Sequence, residues 1–229
     1  MPIKACIFDA YGTLFDVAAA AREAAAEPGR QAFAKHWQKV AADWRLKQLQ
    51  YTWLRAVADA HTDFWEVTQN GLDWALEASG LDDDKELRER LLALYFELSA
   101  YPEVPLMLGR LKSDGFATGI LSNGEPAMLN GAVESAGVGE FLDAVLSVED
   151  VGVFKPHKSV YELVGKRFGT RPSEVLFVSS NGWDASHAAG FGFYSVWVNR
   201  AGEPLDRLPW TPAKVLSDLT NIPDIAASA

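Results

Sequence analysis

The 229-residue chain has a single cysteine, Cys6, so no disulfide can form within it, and a reducing compartment is expected. Long apolar runs are missing too. The longest, Leu91–Phe96, falls far short of the ~20 residues that cross a bilayer, which excludes a transmembrane helix. Met1 to Asp9 lacks the extended apolar stretch of a signal peptide and meets an acid early, so a cytoplasmic location is expected. There is no block of lysine and arginine. Twenty-one basic against 31 acidic residues leave a net charge of −10, a field that opposes polyanions and argues against a nucleic-acid partner. A small anion remains admissible where local cations and backbone amides outweigh that field. No segment repeats at a fixed period. The Ala-rich stretch 17–26 is of low complexity, but it contains Arg22 and Glu23 and reads as helix, alanine being the strongest helix former.

Apolar residues make up 48% of the chain and charged residues 23%, enough for a true core. At ~150 residues per domain, the length suits one core plus an insertion. Short, largely apolar runs rich in strand formers occur at Ile3–Phe8, Phe116–Leu121, Val175–Val178 and Tyr194–Val198, with a weaker one at Ala144–Val148. Runs without alternation predict strands buried on both faces, hence a parallel sheet in a doubly wound α/β layout with ligands at the strands' carboxyl ends. Between the first two strands the pattern turns helical. Phe33, Trp37, Val40 and Trp44 form a stripe that Leu49, Trp53 and Val57 continue, followed by Leu72 and Leu76, then by Leu87, Leu91, Leu94 and Leu98. Residues 17–98 are therefore expected to form a helical cap, on a core built from 1–16 and 99–229. The five tryptophans inside the insertion, at 37, 44, 53, 65 and 74, read as helix-packing core.

Asp9 closes the first strand and opens into Ala10-Tyr11-Gly12-Thr13. A carboxylate there, beside a glycine turn with free amides, suits a covalent nucleophile; capping the next segment is the other reading. Three further polar clusters follow: Ser122-Asn123-Gly124 after the second strand, Lys155-Pro156 before a helix, and Ser179-Ser180-Asn181-Gly182-Trp183-Asp184 after a third strand. Together, and in this order, the four resemble the motifs of the haloacid dehalogenase superfamily along the whole chain. Two departures from that superfamily's phosphatases stand out. Their second aspartate, two residues after the nucleophile, is Tyr11 here, and a metal-binding aspartate is replaced by Ser180. Magnesium wants carboxylate anchors, and phosphoryl transfer without it loses its main charge stabilisation. The pattern Asp9-Ala10-Tyr11-Gly12-Thr13-Leu14-Phe15-Asp16, the cap run Trp44 to Trp53 and the Ser179–Asp184 cluster instead resemble the L-2-haloacid dehalogenase branch.

That resemblance implies a Rossmann-like core with a helical cap, small 2-haloalkanoic acids as substrates, no cofactor, no metal and a homodimer. It implies that Asp9 displaces halide to form an ester, which water then cleaves. Lys155 would pair with Asp9 and keep it ionised. Ser122 and the amides of Ala10 and Tyr11 would hold the substrate carboxylate, and Arg45 with Asn123 would receive the halide. Thr13, Ser179, Asn181 and Asp184 would position Lys155, Asp9 and the water, with Tyr161 in support. Tyr11, Leu49, Phe64 and Trp183 would wall the alkyl group and the halogen. Plain solvent exposure is the competing reading for Arg45, which lies off the 37–40–44 stripe, and ordinary packing competes for Phe64. For the second step the residues suggest His187, one helical turn past Asp184, as the base, oriented by Glu23. Asp184 is the alternative base, expected to have its proton affinity held low by Lys155. A phosphatase of the same superfamily and a non-catalytic small-acid binder are the rival functions.

Overall fold

A computed structural model of the chain describes residues 2–229. Six strands form one sheet: β1 (Ala5–Phe8), β2 (Ala117–Ser122), β3 (Ala144–Ser147), β4 (Val175–Ser179), β5 (Tyr194–Val198) and β6 (Lys214–Leu216), in the spatial order β3-β2-β1-β4-β5-β6. Every pairing is parallel. The central strand β1 is fully buried, with Phe8 in register with Ile120 on one side and Val178 on the other. Cys6 lies in that strand, its thiol pKa pushed up to about 12 by burial. Because the strand order runs outward in both directions from β1, the crevice beyond its carboxyl end is the switch point where such folds bind ligands. Asp9 stands there.

Helices α1 (Ala19–Ala26), α2 (Gln31–Ala34), α3 (Trp37–Val57), α4 (Phe64–Glu77) and α5 (Lys85–Phe96) all lie between β1 and β2. Asp63 and Asp84 start α4 and α5 by accepting the amides of Glu66 and Leu87 at 2.7 and 2.9 Å. A buried polar seam ties three of these helices together. Trp44 Nε1 donates to the carbonyl of Thr68 at 2.8 Å, and Gln48 Nε2 donates to Thr68 Oγ1 at 2.9 Å and to the Tyr95 hydroxyl at 3.1 Å. The chain leaves and rejoins the sheet side by side: Asp16 N donates to Ser99 O, and Tyr101 N to Leu14 O, both at 2.9 Å. Helices α6 (Val104–Ser113), α7 (Pro126–Ser135), α8 (Lys158–Phe168) and α9 (Gly182–Phe191) precede β2, β3, β4 and β5 in turn, and α10 (Ile222–Ser228) follows β6. No helix among the described residues is long and apolar enough to cross a membrane.

Three sequence expectations need correction. Phe33 belongs to the separate four-residue α2, so the stripe is not one helix. Along α3 the buried positions are Val40, Trp44, Gln48 and Thr52, whereas Leu49 and Trp53 are half-buried and Val57 is 89% exposed. The polar seam claims the inner face, and Leu49 and Trp53 turn toward the sheet's carboxyl edge instead. Of the five tryptophans only Trp44 is fully buried, and Trp74 is exposed. Strand β6 had no sequence signal, being three residues long with two of them exposed.

Candidate active site

The turn after β1 is built on one carbonyl. The amides of Thr13, Leu14 and Phe15 converge on Ala10 O at 3.2, 2.9 and 3.1 Å, which requires Gly12 at φ +87°. The amides of Ala10 and Tyr11 have no hydrogen-bond partner among the described residues and are left free as donors. Asp9, 6% exposed, is held at both oxygens: Lys155 Nζ donates to Oδ1 at 3.1 Å, while Thr13 Oγ1 at 3.1 Å and Asn181 Nδ2 at 3.0 Å address Oδ2. A carboxylate so fixed has no rotamer to lose when it attacks, and its donors remain in place if one oxygen becomes an ester carbonyl.

Lys155 is buried at 1% exposure and bridges two carboxylates, lying 2.8 Å from Asp184 Oδ2 as well. Asp184 is fully buried in the first turn of α9, and Tyr161 donates to its Oδ1 at 2.7 Å. One ammonium thus serves two carboxylates. Burial would push the Lys155 pKa down, but the two anions outweigh it and the ammonium holds its proton above the usual lysine value. For Asp184 burial is the larger effect, reinforced by the like charge of Asp9, so its carboxyl lies above the ordinary value despite Lys155 and Tyr161. This corrects the expectation that Lys155 would hold the proton affinity of Asp184 low. Burial likewise pushes the Tyr161 phenol well up.

Arg45 reaches from α3 across to the strand ends. Its Nη2 donates to Tyr11 O at 3.2 Å and to Asn181 Oδ1 at 3.1 Å, so exposure is not its role. Asn181 therefore touches the Asp9 carboxylate with its amide nitrogen and the guanidinium with its oxygen. Between these groups lies a small cavity lined by Asp9, Tyr11, Arg45, Leu49, Phe64, Ser122, Asn123, Lys155, Asn181 and Trp183. Tyr11 stacks on Phe64 and Tyr95 at 5.8 and 5.5 Å, and its pKa is raised well above the usual value by burial. Gly124 permits this approach, since a Cβ there would meet Tyr11 Cε2 at 2.7 Å. Ser122 Oγ accepts the Gly124 amide at 3.1 Å and keeps its own proton to donate; Asn123 Oδ1 accepts the Lys155 amide at 2.9 Å, leaving its NH₂ free.

Two expected site residues lie elsewhere. Glu23 is exposed on α1, and His187 Nδ1 is bonded to the Trp183 carbonyl at 2.7 Å with its ring against Trp210. The pair is not brought together, and neither residue lines the cavity. The turn of α9 sends Asp184 inward and His187 outward, so three-residue spacing did not give a shared environment. Ser179 accepts the Asn181 amide at 3.1 Å and shapes that turn without bonding to Asp9 or Lys155. Two contributors were missed. Ser180 offers its amide to Thr13 Oγ1 at 2.8 Å, a contact that its place beside Ser179 could have suggested. Tyr95, which backs Tyr11, had no local signal because it sits in an ordinary leucine-rich helix.

The donor set does not suit a divalent cation. Of the two carboxylates at the strand ends, Asp184 is engaged by Lys155 and Tyr161, Asp9 by Lys155, Thr13 and Asn181, and the neighbouring positions are Tyr11 and Ser180. An ammonium occupies the middle ground between the carboxylates.

Comparison with known proteins gives a consistent result. A family model described as haloacid dehalogenase-like hydrolase matches residues 3–192. The chain is 43% identical over 224 residues to (S)-2-haloacid dehalogenase 1 of Pseudomonas sp. (strain CBS-3), covering 98% of this chain and 96% of that one. It is 43% identical over 202 residues to (S)-2-haloacid dehalogenase 4A of Burkholderia cepacia, covering 88% and 85%. The solved L-2-haloacid dehalogenase from Xanthobacter autotrophicus with chloropropionic acid covalently bound superposes with a TM-score of 0.85 at 36% identity, covering 97% of this chain and 98% of that one. With a matching model over most of its length and such relatives end to end, the chain belongs to the haloacid dehalogenase-like hydrolase family.

Proposed function

We propose that this protein is an (S)-2-haloacid dehalogenase that converts small 2-haloalkanoic acids to (R)-2-hydroxyacids. The observation that carries this reading is Asn181, which bridges a locked carboxylate to a guanidinium across a small cavity. An Asp9 oxygen attacks C2 in line, the C2–halogen bond breaks with its electron pair, and the carbon inverts. Ser122 and the free amides of Ala10 and Tyr11 hold the substrate carboxylate. Arg45 and the NH₂ of Asn123 take the halide, which leaves unprotonated; this suits a site where Tyr11 stands in place of a second acid. Water then adds to the carbonyl of the Asp9 ester, the charge on its oxygen meets the Thr13, Asn181 or Lys155 donors, and Asp9 is released. Asp184, the second carboxylate bonded to Lys155, is the group that accepts the proton of that water and returns it to the departing 2-hydroxyacid oxygen. Residues 17–98 act as a cap that supplies Arg45, Leu49 and Phe64, on a core formed by 1–16 and 99–229. The homodimer fits the exposed apolar residues Leu46 and Leu54 on α3, and light scattering reads it as twice 25.0 kDa. The lone buried cysteine fits a cytoplasmic location, which fractionation checks.

Purified protein should release bromide and chloride from the S but not the R enantiomers of 2-bromo- and 2-chloropropionate, giving R-lactate, at a rate that EDTA leaves unchanged. Magnesium-dependent phosphate release without dehalogenation would favour the phosphatase reading instead. Arg45→Ala should lower kcat by ~10²–10³-fold, the cost of one buried donor to developing negative charge. Its KM should move far less, because the carboxylate is bound on the opposite, sheet side. An unchanged kcat on bromopropionate would remove Arg45 from the halide site.

A further inference from the structure

The cavity around Asp9 is nearly full. About 10 Å³ within it is open to a water-sized molecule, room for roughly one water. A bound haloacid therefore displaces part of the wall, and the two sides of that wall are unlike. Tyr11 and Phe64 are 2% and 1% exposed and are backed by Tyr95 and Phe154, at 1% and 0%. That aromatic stack has nowhere to go. Leu49 and Trp183 on the other side are half-buried.

Beside Trp183 lies an open groove of about 310 Å³, lined by Trp53, Ala56, Val57, Pro156, Trp183, His187 and Leu208. No charged side chain lines it, and the His187 ring is turned back toward the Trp183 carbonyl. Trp183 is the residue common to groove and cavity, and the edge of Trp53 meets it at 5.4 Å. The Trp183 indole N–H is buried without a partner, so no hydrogen bond pins the ring that separates the two spaces.

We propose that this groove is a subsite for the alkyl chain of 2-haloalkanoic acids longer than three carbons, with the Trp53–Trp183 pair as its partition. The proposal rests on the dehalogenase reading. With the carboxylate on the sheet side and the halogen toward Arg45, the alkyl substituent at C2 faces the apolar walls, of which Trp183 also lines the apolar groove. The volume of the groove lies at the lower end of the ~300–1,000 Å³ typical of small-ligand sites. Each methylene buried there is worth about fourfold in affinity, so a six-carbon acid gains in KM what it spends in moving the partition.

The test compares kcat/KM for (S)-2-bromohexanoate and (S)-2-bromopropionate, by bromide release, in the wild-type protein and in two variants that fill the groove from opposite sides, Ala56→Trp on α3 and Leu208→Trp on the loop after β5. The wild type should use both acids. Each variant should lower the hexanoate-to-propionate ratio at least tenfold, chiefly through KM. A wild-type protein that uses the three-carbon but not the six-carbon acid would overturn the proposal, as would an unchanged ratio in either folded variant. Absence of bromide release from bromopropionate would overturn the dehalogenase reading itself, and the subsite with it.

Discussion

Asp9→Asn should stop halide release, lowering turnover on the order of 10⁴–10⁶-fold, as expected when a covalent nucleophile is removed. An amide of the same shape is a poor nucleophile toward saturated carbon, and its single oxygen can accept from Lys155 or from Thr13 and Asn181 but not from both sides, a local mismatch offset by the charge it removes. The loss should come without loss of stability. Asp9 and Asp184 share one ammonium, so neutralising Asp9 leaves a matched pair in place of an excess buried anion, and the melting temperature should hold or rise. In wild-type protein, a single turnover in heavy-oxygen water should place the label on Asp9 and not in the first product molecule. Label in that first product would mean that water attacks the substrate directly.

Lys155→Met should have the opposite profile, losing both activity and stability. Removing the cation from a fully buried group strands two carboxylates, a change that typically costs ~3–5 kcal/mol. For a chain of this size that is a fall in melting temperature of roughly 10 °C. The pH dependence separates this from general damage. In the wild type the folded-state pKa of Lys155 is raised, so its contribution is complete below the unfolded lysine value of ~10.4 and is lost only as pH rises through the higher folded value. Wild-type stability should therefore show no loss from this group across the neutral and mildly alkaline range. In the variant, Asp184, whose carboxyl lies above its ordinary value by burial even with the ammonium beside it, holds its proton more tightly than in the unfolded chain, so stability should increase as pH is lowered from 8 toward 5. A variant whose melting temperature matches wild type throughout would mean that the ammonium does not hold this cluster together.

Much of this arrangement could be read from the chain because its chemistry sits at the ends of short, largely apolar strands. Asp9, Ser122 and Asn181 each follow a run of strand formers, and a parallel sheet brings such ends together whatever the loops do. Lys155, which no strand carries, was legible through the resemblance to the superfamily's motifs. The helices were harder. An apolar stripe identifies a helix but not which of its faces is innermost once polar groups compete, and along α3 the buried Gln48 and Thr52 displaced the apolar Leu49 and Trp53. His187 failed for a related reason. Spacing along α9 placed it near Asp184, but the backbone carbonyl of Trp183 and the ring of Trp210 fix the imidazole on the far side. Tyr95 became visible only when α5 was seen behind Tyr11, a contact between residues 84 positions apart in sequence.

The two chain segments joined at the root of the helical insertion have a consequence for how the molecule can change. Asp16 and Ser99 are joined by a single backbone hydrogen bond of 2.9 Å, and Leu14 and Tyr101 by another. To the sheet, everything from 17 to 98 is an excursion whose two ends are already together, so the closure entropy of that loop depends little on what the excursion contains. The segment that supplies Arg45, Leu49 and Phe64 can thus be exchanged whole for one from a relative, by joining at a single doorway, without altering the register of any strand. Asp9, Lys155 and Asn181 would stay on the sheet side of that doorway, so a graft carries over the lining of the cavity while the nucleophile stays in place.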